Sequence, residues 1–228
     1  FTGQILLRTG TNTQEGDYRA LTMLKIWGRA NSVNVQKAVW AAAEVGVRFE
    51  RLDAGLVFGK NTEDWYLALN PNGKVPLLQD GEWSLWESNV IVRYLAHCYG
   101  TGTLCPDDPQ QRFTAEQWMD WTVSELLPAM TPPFWGLVRT PPEKRNWEAI
   151  NAGIKECNRL FGLLDRHLQQ QDYVAGNEFS MGDIPAGALV YRWYNLDIER
   201  DELLGVHAWY ERLQIRSSYG KHVMLPVT

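Results

Sequence analysis

Cysteine is scarce in this 228-residue chain: Cys98, Cys105 and Cys157 are the only three, and none stands in a C-x-x-C or zinc-ligand spacing. That excludes a disulfide-stapled scaffold, and the odd count suits a reducing compartment. The four histidines, His97, His167, His207 and His222, are scattered, so no metal site is expected. A basic run is also missing and the net charge is −5, which argues against nucleic acid as a partner. No apolar stretch approaches the roughly 20 residues of a membrane-spanning helix, so no membrane association is expected. These absences predict a soluble, cytoplasmic protein. An apolar content of 45% is enough for a sizeable core in one or two domains.

Residues 1–22 are rich in Thr, Gly and Asn, and Ile5-Leu6-Leu7 is too short for a secretory core. They are expected to be a leader or an appended extension outside the fold, which starts at Met23. From there Leu24-Lys25-Ile26-Trp27 reads as a strand and Gly28 to Asn34 as a polar turn. A helix follows, with Val35, Ala38, Val39, Ala42 and Ala43 at helical spacing and Gly46 as its stop. Residues 48–52 form a second strand and residues 62–69 a short helix. Asn70-Pro71-Asn72-Gly73-Lys74 is turn chemistry. Val75-Pro76 then opens a strand, where a proline is tolerated at a start or an edge. A hairpin at Asp80-Gly81-Glu82 leads to a strand over 83–86, and Glu87-Ser88 heads an apolar-periodic helix.

Three of these pieces offer something to a ligand. An edge at Val75-Pro76 would leave backbone groups free to pair with a peptide. Glu87 and Ser88 place a carboxylate and a hydroxyl among the orphan amides of a helix start, a spot suited to a ligand bearing both amine and carboxylate. Ser32 and Asn34 stand at the head of the first helix, where each either caps the helix or donates to an anion.

Residues 101–109 are a Gly-, Thr-, Asp- and Pro-rich linker between a domain spanning 23–100 and a helical one spanning 110–228. Over 147–170, Ile150, Ile154, Cys157, Phe161, Leu164 and Leu168 mark the seam of a bundle helix. Cys98 and Cys157 fall on apolar helix faces and are expected to be buried and inert. Ser180 and Asp183 have the spacing of a capping box, with Phe179 and Ile184 as its staple. Tyr191, Trp193, Trp209 and Tyr210 are expected in the core.

The order of elements and the quoted motifs resemble the cytosolic glutathione transferases over roughly residues 23–225, most of all bacterial, theta-like members with a serine at the active position. The resemblance implies an α/β N-terminal thioredoxin-like domain followed by an all-α C-terminal helical bundle domain. It implies that Pro76 is cis, that the Val75 backbone pairs with the cysteinyl unit of glutathione, and that Glu87 and Ser88 hold the γ-glutamyl end. Ser32 would then donate to the sulfur, with Asn34 as the alternative donor. Lys60 and Lys74 are candidates for the glycine carboxylate. Met130, Phe134, Trp135 and Arg139, around a break at Thr131-Pro132-Pro133, are candidates for the pocket of a small electrophile between the domains. A homodimer and glutathione as co-substrate, without a metal, complete the implication. Two alternatives stand beside the transferase: a glutathione-dependent disulfide reductase or dehalogenase, and a non-catalytic scaffold of the same fold.

Overall fold

In the computed structural model, which describes residues 23–228, β1 (Leu24–Trp27) runs parallel to β2 (Phe49–Leu52) and antiparallel to β3 (Leu77–Asp80), and β3 pairs antiparallel with β4 (Trp83–Trp86). The expectation for residues 1–22 lies outside the described residues. Strand order is β2-β1-β3-β4. This corrects the reading of Val75-Pro76 as the opening of an edge strand, because β3 is interior and begins only at Leu77. The hairpin covers one side of β3 with β4, and β1 takes the other. Pro76 is compatible with that position because it stands before the ladder, where no amide donor is required. The Val75-Pro76 bond is cis.

Helix α1 (Val33–Glu44) carries an alanine-rich stretch, and its residues Val35 to Ala42 are all buried. It ends where Gly46 adopts a φ of +68°. A short helix α2 (Asp64–Leu69) precedes the Asn70 turn, and α3 (Ser88–Tyr99) follows β4.

The C-terminal domain is all helical: α4 (Pro109–Trp121), α5 (Leu127–Phe134), α6 (Trp147–Leu168), α7 (Asp183–Tyr194), α8 (Leu204–Gln214) and α9 (Ser217–His222). Asp108 caps α4 by accepting from the Gln111 amide, with Pro109 at the first helical position. Between α4 and α5 the helix widens into a π segment (Thr122–Leu126), and a second one (Trp135–Arg139) follows α5. Thr131-Pro132-Pro133 is therefore not a break. Both prolines lie inside α5, and the donors they remove are followed by the wider π turn rather than by a loop. Asn146 caps α6, whose buried face includes Ile150, Cys157, Phe161, Leu164 and Leu168.

The two domains close on α1. Trp40 packs on Tyr219 and Phe179, with ring centroids 4.7 and 5.5 Å apart. Gly187 on α7 admits that indole, since an added Cβ would lie 2.9 Å from it. Tyr219 donates to the Gly187 carbonyl at 2.8 Å, and Arg216 reaches Glu44 at the end of α1. Of the aromatic residues expected in the core, Trp193, Trp209 and Tyr210 are buried, whereas Tyr191 is half-buried. Burial also separates the cysteines: Cys157 is enclosed and burial pushes its thiol pKa up to about 12, while Cys98, expected to be buried, is only half-buried on α3. No helix among the described residues is long and apolar enough to cross a membrane.

Helix α7 starts at Asp183, later than a cap at Ser180 would place it. The capping interactions are nonetheless reciprocal: Asp183 accepts from the Ser180 amide at 2.9 Å, and the Ser180 hydroxyl accepts from Gly182 at 3.3 Å. The Asp183 carboxylate also accepts from the Val174 amide and from Trp209 Nε1. Burial pushes its pKa up to about 6 against the pull of these donors. Asp183→Ala would strand several buried donors, so it is expected to cost about 2–5 kcal/mol in urea unfolding. A loss below about 0.5 kcal/mol would mean that the surrounding packing holds the turn without the carboxylate.

Candidate active site

The loop between β1 and α1 is held from below by the backbone. Gly28 donates to Leu52 at 2.7 Å and Arg29 to Ala54 at 3.0 Å, while Ser32 turns back on Arg29 at 3.2 Å. Gly28 has a φ of +152°, and an added Cβ there would meet Val35 at 2.3 Å and Val75 at 3.1 Å. Close approach therefore brings the end of β1, the head of α1 and the Val-Pro segment together. Ser32 occupies the N-cap position of α1 but makes no side-chain cap hydrogen bond, so its hydroxyl is available to something else.

Val75 is half-buried, stands outside the β ladder and is flanked by an anchored carbonyl: Tyr66 and Asn70 both donate to Lys74 O, at 2.7 and 2.8 Å. Across β4, Glu87 takes a φ of +70°, a region costly for a residue with a side chain. Its carboxylate makes no cap bond to α3 and is exposed. Ser88 is buried and donates to the Asn34 side-chain oxygen at 3.3 Å. Asn34 is thereby tied to the Glu87-Ser88 corner.

Behind Ser88 lies a residue that sequence reasoning missed. Lys37 on α1 is fully buried, its ammonium 3.4 Å from both Ser88 Oγ and Asn89 Oδ1. Burial lowers its pKa from 10.5 to about 8, with Glu87 opposing and Arg192 adding to the shift. The available signal was its helical spacing: Lys37 interrupts the alanine- and valine-rich face that enters the core.

Met130, Phe134, Trp135 and Arg139 do come together, and Ser32 and Asn34 share their cavity, of about 240 Å³. It opens at the seam between α1 and the helical domain. Arg29, Leu127, Leu189 and Arg192 also line it and were not anticipated. Arg192 is buried on α7 and donates across the seam to the Asn31 carbonyl at 2.7 Å. Its guanidinium sits 4.3 Å from the Phe134 ring centre, and that of Arg139 lies 5.1 Å from the same ring and 4.6 Å from Trp135. Lys60 and Lys74 stay outside this cavity: Lys60 lies over the Trp27 ring at 5.3 Å, and Lys74 is exposed. Among the described residues no cluster of His, Cys, Asp and Glu could hold a metal ion.

A thioredoxin-like sheet carrying a cis-proline segment beside a serine-headed helix, closed by a helical domain, defines the class of the glutathione transferases. Residues 22–97 match the glutathione S-transferase N-terminal domain and residues 125–216 the C-terminal domain. The chain is 44% identical over 208 residues to glutathione S-transferase GstB of Escherichia coli, covering 90% of this chain and all of that protein. It is 30% identical to glutathione S-transferase D6 of Drosophila melanogaster, over 84% of this chain and 87% of the relative. Its structure superposes with a TM-score of 0.88 and 46% identity on the theta class glutathione S-transferase of Xanthomonas axonopodis pv. citri, solved with glutathione bound, over 91% of this chain and 100% of that one. The chain belongs to the glutathione S-transferase family.

Between pH about 8 and 10.5 the unfolded chain holds a proton on Lys37 that the folded chain has released, so this group's contribution to stability rises with pH. Urea unfolding of the wild type and Lys37→Met at pH 7.5 and pH 10 is expected to show the wild type gaining up to about 3 kcal/mol on the variant. A difference independent of pH would show that Lys37 titrates as an exposed lysine does.

Proposed function

We propose that the protein binds glutathione extended between the Glu87-Ser88 corner and Ser32, with its cysteinyl unit along the Val75 backbone, and transfers the thiolate to a small electrophile. The free Ser32 hydroxyl at the mouth of the shared cavity carries this reading. A cysteine-like thiol of pKa about 8.5 is only a few per cent thiolate at neutrality, and the thiolate is the nucleophile. A hydrogen bond to a charged partner contributes about 1.5–3 kcal/mol, and one pKa unit corresponds to about 1.4 kcal/mol. Ser32 alone therefore accounts for a lowering of about one to two units, and the amides at the head of α1 add to it.

The electrophile accepts the sulfur electron pair, its leaving group departs with the bonding pair, and the thiol proton passes to solvent. Asn34 stays beside Ser32 as the alternative donor to the sulfur through its side-chain nitrogen, while its side-chain oxygen accepts from Ser88 and ties it to the Glu87-Ser88 corner. Glu87 supplies the charge for the amino group of the ligand, and the Ser88 hydroxyl, whose one proton goes to Asn34 in the free site, turns to the carboxylate beside it when the ligand binds. Lys74, exposed beside Val75, serves the glycine carboxylate better than Lys60, whose ammonium already lies over Trp27. Family membership supports a homodimer acting in the cytoplasm.

Ser32→Ala is expected to raise the pKa of bound glutathione by about one to two units, read from thiolate absorbance in the ultraviolet as pH is varied. An unchanged titration would move the role to Asn34 or to the helix amides. Glu87→Ala is expected to weaken glutathione about tenfold or more and to leave a des-amino analogue almost unaffected, as measured by calorimetry. Equal losses for both ligands would assign Glu87 to the architecture of α3.

A further inference from the structure

The chain as a whole is acidic, with a net charge of −5, yet the cavity beside Ser32 is lined by three arginines and by no aspartate or glutamate. None of Arg29, Arg139 and Arg192 forms a salt bridge among the described residues. Their hydrogen bonds go to backbone oxygens: Arg192 to Asn31, and Arg139 to Thr228 at 3.1 Å. Arg29 Nε is buried with no partner at all. The three guanidiniums also repel one another, and each is held below the ordinary arginine pKa by burial, with mutual repulsion adding for Arg29 and Arg192. A protein gathers cations with no acidic side chain beside them in a walled site at a cost in stability, and an anionic ligand offsets that cost.

We infer that the electrophile taken by this site carries a carboxylate, bound by Arg139 and Arg192 against the Phe134 and Trp135 wall while Ser32 holds the attacking sulfur. The inference rests on the thiol-transfer reading and adds the charge of the second substrate to it. Position favours the electrophile over glutathione as the source of that carboxylate. Arg139 and Arg192 belong to the helical wall: Arg192 shares α7 with Leu189, and Arg139 ends the π segment that follows α5, which carries Met130 and Phe134. Arg29 lines the same cavity but reaches towards the Val-Pro segment: an added Cβ at Gly55 would lie 3.2 Å from its Nη1 and 3.4 Å from Val75. The fork of a guanidinium matches a carboxylate through two parallel donors, and its planar face still stacks on an aromatic ring.

The matched probes are 4-chloro-3-nitrobenzoate and its neutral counterpart, 4-chloro-3-nitrobenzamide. In both, the glutathione sulfur bonds to the ring carbon bearing chlorine and chloride leaves. With each kcat/KM divided by the uncatalysed rate with glutathione, the benzoate is expected to be favoured at least tenfold. In Arg139→Met that ratio is expected to fall severalfold towards one, with the KM for glutathione changing less than the KM for the benzoate. Arg192 is buried and its replacement could unfold the chain, so the second measurement uses the wild type. Calorimetry with S-methylglutathione present is expected to show 4-nitrobenzoate binding at least tenfold more tightly than 4-nitrobenzamide, and the advantage is expected to shrink with added salt. A wild type that turns over both halides without preference would overturn the inference and leave the thiol-transfer reading standing. Turnover of neither halide, with the benzoate still bound selectively, would overturn thiol transfer and support the anion site. An Arg139→Met effect confined to the KM for glutathione would reassign the arginines to the tripeptide and overturn the inference.

Discussion

Everything at the site depends on the burial of α1. Its residues Val35 to Ala42 are enclosed between the sheet and helices α3, α7 and α9, so the helix has no freedom to rotate or slide. Its first turn therefore presents Ser32 and Asn34 at a fixed place. The same enclosure carries the domain interface, through Trp40 against Tyr219 and Phe179 and through Glu44 against Arg216. A loosened interface would thus be felt at Ser32 and Asn34, and the stability of the two-domain fold and the geometry of the candidate site are one problem.

Against that rigid element the protein places groups that are unfavourable by themselves. Glu87 holds a positive φ, Lys37 keeps a fully buried ammonium, and Arg192 carries a buried guanidinium into the seam between the domains. Each costs on the order of 1–3 kcal/mol unless something compensates. The three cluster around one crevice while the remaining buried surface is mostly apolar, which is the distribution expected where local stability is given up for pre-organised ligand contacts. Lys37 illustrates the logic: its charge lies behind Ser88 and Asn89, orients their oxygens and balances the Glu87 carboxylate in front of them.

What the sequence made legible was local. Gly46 stops α1, Asp80-Gly81 turns the hairpin, and the α6 seam follows from apolar spacing alone, because each is decided by residues within a few positions of one another. The candidate site motifs are equally local, which is why Ser32, Val75 and Glu87 could be proposed before any fold was seen. Non-local facts stayed hidden. That β3 is interior depends on β1 reaching it from fifty residues away, and no local pattern separates an edge strand from an inner one that starts after a proline. The two prolines of α5 signal a break by local rules, and only the helices packed around α5 let it continue into a π segment. Lys37 and Arg192 look like surface residues in a sequence, since their burial is set by contacts distant along the chain, with Ser88 and Asn89 for Lys37 and with Asn31 for Arg192.

Arg192 shows why the seam between the domains, and not either domain alone, is where the chemistry sits. One nitrogen of its guanidinium donates to the carbonyl of Asn31, the residue before Ser32, while its plane faces Phe134. The thiol loop and the wall of the second pocket thus share one side chain. Any ligand that draws charge from that guanidinium also acts on the hydrogen bond that positions the turn before Ser32, so occupancy of the cavity and the placement of the Ser32 hydroxyl are physically coupled. Such coupling requires both partners in the same rigid frame, which the enclosure of α1 provides, and it gives the helical domain a part in placing the Ser32 turn, beyond lining the cavity.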